Sequence, residues 1–146
     1  TEVNRMEEKQ LMENFDRLNR RLRRYFDSFF TDLPLTSIQA LVLQYIAVES
    51  EHRDVFTKDL EEFLCIKGPS VTSLVNNLVR SGYLRRESLA DDGRYKKLIL
   101  TDKACEIEAD IAHRVDSYMT GIFSGISERD RAIFASVIEK MEDNTK

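Results

Sequence analysis

Histidine and cysteine are scarce in this chain, two of each in 146 residues, and each scarcity removes a class of chemistry. Cys65 and Cys105 stand forty positions apart with no CxxC pair, so neither a disulfide framework nor a zinc ribbon is indicated. A reducing compartment fits, with each thiol read as a small buried hydrophobe. His52 and His113 are distant from one another and His113 has Ala109 one turn before it, so no metal site is expected. There is no Ser-His-Asp set and no phosphate loop, which argues against an enzyme and against a cofactor. No apolar run is long enough to span a bilayer and none resembles a signal peptide, so a cytoplasmic chain with no membrane partner is expected.

What is present is charge, and it is unevenly placed. Charged residues make up 33% of the chain and the formal net charge is -4, which taken alone speaks against nucleic acid. Residues 1–65 hold 9 basic and 13 acidic side chains, residues 66–103 hold 8 and 4, and residues 104–146 hold 5 and 9. Positive charge is therefore concentrated in one segment between acidic flanks, an arrangement that focuses phosphate binding on one surface.

That segment, Lys67 to Thr101, reads as a helix, a glycine stop and a basic hairpin. Val71, Leu74, Val75 and Leu78 recur at helical spacing and predict one buried face. The opposite face carries Ser70, Thr72, Ser73, Asn76, Asn77 and Arg80, short polar side chains suited to a DNA groove. Pro69 fits the first turn of this helix, where its missing N–H is unpaired in any case, and Gly82 fits a left-handed stop after it. Tyr83 to Leu89 and Tyr95 to Leu100 are strand-like, with Ala90 to Arg94 as the turn between them. The outline is a winged helix-turn-helix. The stretch GPSVTSLVNNLVRSGYLRRESLADDGRYKKLILTDKA resembles the recognition helix and wing of the MarR (multiple-antibiotic-resistance regulator) family of transcription factors.

The rest of the chain frames this reader. Leu11, Phe15, Leu18, Leu22, Tyr25 and Phe29 form a heptad-like seam on a helix expected over residues 5–30. The run Arg17, Arg20, Arg21, Arg23, Arg24 is read as the solvated flank of that helix, and Phe26 and Phe30 as a second apolar row that marks an intersubunit surface. Thr36 and Gln39 form a capping box for a helix from Ser37 to about Glu49, whose Ile38, Leu41, Val42, Tyr45 and Ile46 are expected inside. Val55 and Phe56 are read as a short strand beside the wing, and Thr57 as the N-cap of the first helix of the helix-turn-helix, with Leu60, Phe63 and Leu64 inward. Thr101 is expected to cap a long helix reaching about Phe123, and Ser127 to open the last one. The fold class is mainly α with a small β-hairpin wing. Residues 1–35 and 102–146 are expected to supply dimerisation helices around a reader at 36–101.

From these placements, Ser70, Thr72, Ser73 and Asn76 are candidates for the major groove, Asn77 for the groove or a bond within the fold, and Lys67 and Arg80 for phosphates. Arg94 at the wing tip suits a narrow minor groove, or alternatively an ion pair with Asp91 or Asp92, while Lys96, Lys97, Arg85 and Arg86 are assigned to DNA backbone or solvent. The family resemblance implies a homodimer on double-stranded, pseudo-palindromic DNA, repressing transcription until a small aromatic ligand binds. Phe29, Phe30, Tyr45 and Tyr118 are the candidate lining of that ligand pocket. It also implies an acidic and an arginine residue in the wing turn, present as Asp91, Asp92 and Arg94, although Gly93 stands where many members have a second arginine. A winged helix that binds a protein partner is the alternative.

Overall fold

The computed structural model describes residues 2–89 and 92–146. Its elements run α1 (Glu2–Ser28), α2 (Ser37–Glu49), α3 (Thr57–Leu64), α4 (Gly68–Arg80), β1 (Leu84–Leu89), β2 (Asp92–Leu100), α5 (Asp102–Ile122) and α6 (Glu128–Asn144). This is the winged helix-turn-helix expected from the sequence, with long helices on either side of it.

α2 lies at the centre, against α5 on one side and β2 on another. Its start is fixed by the capping box: Thr36 Oγ1 accepts the Gln39 N–H while Gln39 Oε1 accepts the Thr36 N–H. Packing on several sides changes which residues are inside. Ala40, Val42, Leu43 and Ile46 are buried, whereas Ile38, expected in the buried stripe, sits half out of the fold near the helix start. One core joins these side chains to Leu60 of α3, Val71, Val75 and Leu78 of α4, Leu84 and Leu98 of the hairpin, and Ile111 of α5.

The N-cap of α3 lies one residue earlier than expected, and Thr57 is the first residue of the helix itself. Phe56 occupies the N-cap position, and Asp59 Oδ2 accepts the Phe56 N–H at 2.8 Å, so a carboxylate rather than the Thr57 hydroxyl organises this terminus. Phe63 turns outward and stacks on Tyr45, ring centroids 4.2 Å apart. The α3–α4 turn passes through Cys65, which ends α3 in the left-handed region at φ 52. Val55 does not form a strand; its carbonyl accepts one bond from the Leu98 N–H at 2.7 Å, which fastens the loop before α3 to the wing.

The hairpin differs from expectation at its tip. Leu84 faces Leu100 and the antiparallel register continues to Ser88 opposite Lys96, but Leu89 then pairs with Asp92. Gly93, Arg94 and Tyr95 therefore bulge from β2 instead of forming the loop, because pairing resumes beyond them. Ala90 and Asp91, the rest of the expected turn, lie outside the described residues. At the other end of the wing, Gly82 takes φ 84, and Thr101 Oγ1 both donates to the Gly82 carbonyl and accepts the Ala104 N–H at the start of α5.

The terminal helices show the largest departure. Phe30 is 3% exposed and Phe26 half-buried, so the second apolar row of α1 packs into this chain's own fold and is not a free surface. Tyr25, Phe26, Phe29 and Phe30 make edge-on and tilted ring contacts among themselves and with Tyr118, joining the end of α1 to α5. It is the first row that remains open: Leu11 is 60% exposed, and Met12, Phe15 and Leu18 are exposed with it. On α6 no residue is buried, and Ile133, Phe134, Val137 and Met141 face outward. Both cysteines are exposed, contrary to their reading as buried hydrophobes, because Cys65 ends a helix and Cys105 lies on the outer side of α5. No helix among the described residues is long and apolar enough to cross a membrane.

Candidate nucleic-acid interface

α4 begins with Lys67 as N-cap and Pro69 in its first turn, and ends in Arg80 before the Gly82 stop. With Val71, Val75 and Leu78 wholly buried, the helix cannot rotate without exposing its anchor, so its other face is fixed toward solvent. Ser70, Thr72, Ser73, Asn76, Asn77 and Arg80 are all exposed on it. Gly68, Pro69, Thr72, Ser73, Asn76, Asn77 and Arg80 border one shallow depression along the helix. Lys67 is exposed at its N-terminal end, where backbone N–H groups also point outward.

Two of the asparagines are held by arginines. Arg86 of β1 reaches across to α4, its Nη2 donating to Asn76 Oδ1 at 2.6 Å. Arg86 therefore braces wing to helix, an intramolecular role beside the backbone or solvent contact expected from its sequence position. On α4 itself, Arg80 Nη1 donates to Asn77 Oδ1 at 3.2 Å. Arg85 pairs with Glu87 at 3.0 Å, and Lys97 sits within 4 Å of both Asp54 and Glu87, so these two basic groups are engaged with acidic side chains of the wing and of the loop before α3. Lys96 is exposed opposite Ser88.

Arg94 projects from the bulge with its guanidinium carbon 6.0 Å from the centre of the Tyr95 ring, itself 59% exposed. The alternative partners Asp91 and Asp92 fall outside the described residues and side chains. No group of three or more His, Cys, Asp or Glu side chains among the described residues is placed to hold a metal ion.

The four aromatic residues named for a ligand pocket do not converge. Tyr45 is committed to Phe63, and its hydroxyl accepts from Arg53 Nη2 at 2.9 Å. Phe30 is core, and Phe29 packs in the α1–α5 aromatic cluster. Only Tyr118 borders the crevice of about 470 Å³ between α1, α2 and α5, together with Leu22, Arg23, Phe26, Asp27, Ser37, Ile38, Leu41, Val115 and Met119. Aromatic character alone does not rank how deeply a side chain lies in the fold. Phe26 was assigned to a surface, and the aliphatic lining carries no local signature.

Comparison with known proteins agrees with this geometry. Residues 32–94 match the model of the MarR family. The structure of the transcription regulator MarR from Oenococcus oeni PSU-1 is similar at 25% identity and a TM-score of 0.79, covering 91% of this chain and 98% of that one. The S. aureus MepR–DNA complex gives a TM-score of 0.81 at 20% identity over 90% and 94% of the two chains. A MarR-family regulator from Listeria monocytogenes complexed with 26mer DNA gives 0.78 at 18% identity over 91% and 87%. MarR-family proteins are transcription regulators, not enzymes. The family match runs from just before α2 into β2, and over nine-tenths of its length the chain is similar in fold to a MarR transcription regulator.

Proposed function

We propose that this regulator binds a pseudo-palindromic operator as a homodimer, with α4 of each subunit in a major groove. The observation that carries the reading is the α4 surface: a continuous row of exposed hydroxyl, carboxamide and guanidinium groups on a helix whose other face is wholly buried. It lies in the one segment of the chain with a positive balance. The relatives from S. aureus and L. monocytogenes complexed with DNA lend support by likeness of fold. Ser70, Thr72, Ser73, Asn76 and Asn77 face base edges in this reading, Lys67 and Arg80 face phosphates, and Arg94 and Lys96 follow the DNA along the wing. A protein partner is the weaker reading, because the outward face of α4 presents no large apolar side chain.

One reader helix covers a short footprint, and two related by a twofold axis extend it across half-sites about 10 base pairs apart. Residues 1–35 and 102–146 supply the dimer contact. Their exposed rows, Leu11, Phe15 and Leu18 on α1 and Ile133, Phe134, Val137 and Met141 on α6, form the apolar surface a second copy would cover. A small apolar or aromatic ligand in the α1–α2–α5 crevice would favour one spacing of the readers over another by its differential affinity, releasing DNA and relieving repression in the cytoplasm. The test is a mobility shift with the purified protein and fragments of the DNA upstream of its own gene. Binding at low salt that weakens as salt rises is expected; no binding to any fragment at low salt overturns the reading.

A further inference from the structure

The brace between Arg86 and Asn76 bears on which base the helix reads. A guanidinium has donors only, so the Asn76 atom facing Arg86 Nη2 at 2.6 Å is the carboxamide oxygen. Asn76 borders the depression along α4 with Thr72 and Ser73, and with its oxygen on Arg86 the amino group is its remaining polar group. An asparagine reads adenine by pairing both of its polar atoms with the base, its oxygen with the N6 amino group and its amino group with N7. Here one of that oxygen's two lone pairs is taken by a half-buried arginine on another element, whose positive charge disfavours a second donor at the same atom. Guanine presents two adjacent acceptors, O6 and N7, and needs only donors.

We infer that Asn76 is a specificity-determining residue that selects guanine, and that Arg86 is the positioning residue that denies it adenine. The inference rests on the reading of α4 as the helix in the major groove. Arg80 treats Asn77 in the same way at 3.2 Å, so the middle of the reading face is a row of donors. Arg86 also fixes the Asn76 rotamer before DNA arrives, which removes an ordering cost from recognition.

The experiment is selection of bound duplexes from a random-sequence pool by the full chain, in parallel with Asn76→Ala, Asn76→Asp, Arg86→Ala and Arg86→Met. The methionine variant keeps the apolar stem and so guards against misfolding, and thermal melts identify any variant that does not fold. Wild type is expected to enrich a motif with one guanine column per half-site, and Asn76→Ala to flatten that column by about tenfold, within the range of a base-edge contact. Asn76→Asp keeps an acceptor for Arg86 but loses the amino group, so the guanine preference should be lost there too. The Arg86 variants are expected to admit adenine at the same column and leave the others unchanged. A motif in which the Asn76-dependent column is adenine in wild type, or in which neither Arg86 variant alters that column, overturns the inference while leaving α4 as the reader. A pool from which wild type enriches no motif overturns both.

Discussion

Arg114 grips Asp32 with both ends of its guanidinium, Nη1 at 2.5 Å from Oδ1 and Nη2 at 2.9 Å from Oδ2. The same arginine donates from Nε to Asp110 at 3.0 Å and from Nη1 to the Phe29 carbonyl at 2.8 Å. It thereby ties α5 to the segment where α1 gives way to α2, the junction that any relative movement of long helices and reader must strain.

The hydrogen bond from Arg114, followed by one from its own backbone, holds the Asp32 carboxyl below its ordinary value, and Arg114 is pushed upward by the same contacts. A carboxylate whose pKa is lower folded than unfolded contributes stability that is present above the unfolded value, about 3.9, and is lost as pH falls through the folded one. The melting temperature of wild type is therefore expected to drop more steeply below about pH 4 than that of Asp32→Asn. Thermal melts monitored by circular dichroism between pH 7 and pH 3 check this, and parallel curves for the two proteins would contradict it.

Thr101 serves two elements with one hydroxyl, capping α5 and bonding the Gly82 carbonyl. Loss of an N-cap costs about 1 kcal/mol, and leaving a partly buried carbonyl unpaired adds a similar amount, so Thr101→Ala should destabilise by about 2 kcal/mol. Thr101→Ser should recover most of it. Urea unfolding at constant m-value separates these outcomes.

The two faces of α4 should respond oppositely to mutation. Leu78 is fully buried, and Leu78→Ala is expected to cost about 3 kcal/mol through transfer and cavity terms. Thr72 is exposed, so Thr72→Ala should change stability by no more than about 0.5 kcal/mol while weakening DNA binding. Unfolding and binding measured on the same preparations show whether the two effects separate.

Elements with a strong local signal were legible in advance. The capping box at Thr36 and Gln39, the caps at Thr101 and Ser127, and the stripe Val71, Val75, Leu78 depend on residues close in sequence, and all appear as read. The errors fall where distant chain decides. Phe26 and Phe30 look like surplus apolar surface until α5 is brought against them, and Arg86 looks like a solvent cation until β1 is laid beside α4. Register has the same character: nothing in LADDGRY announces that Leu89 pairs with Asp92 and leaves a bulge at Arg94.

If the exposed rows of α1 and α6 meet those of a second copy, charge placed there should separate subunits without harming the core of either. Phe15→Glu or Phe134→Glu is expected to shift the protein from dimer toward monomer at micromolar concentration. Sedimentation equilibrium reads this, and a wild-type protein that sediments as a folded monomer would contradict dimerisation through these helices.

The most direct test of the account as a whole is the salt dependence of binding to DNA from the protein's own upstream region, measured by fluorescence anisotropy. A linear fall of log K with log salt is expected, with a slope reduced by about one unit in Lys67→Ala and again in Arg80→Ala, each lacking one phosphate contact. Binding whose slope is the same in wild type and both variants would contradict α4 as the element that holds DNA.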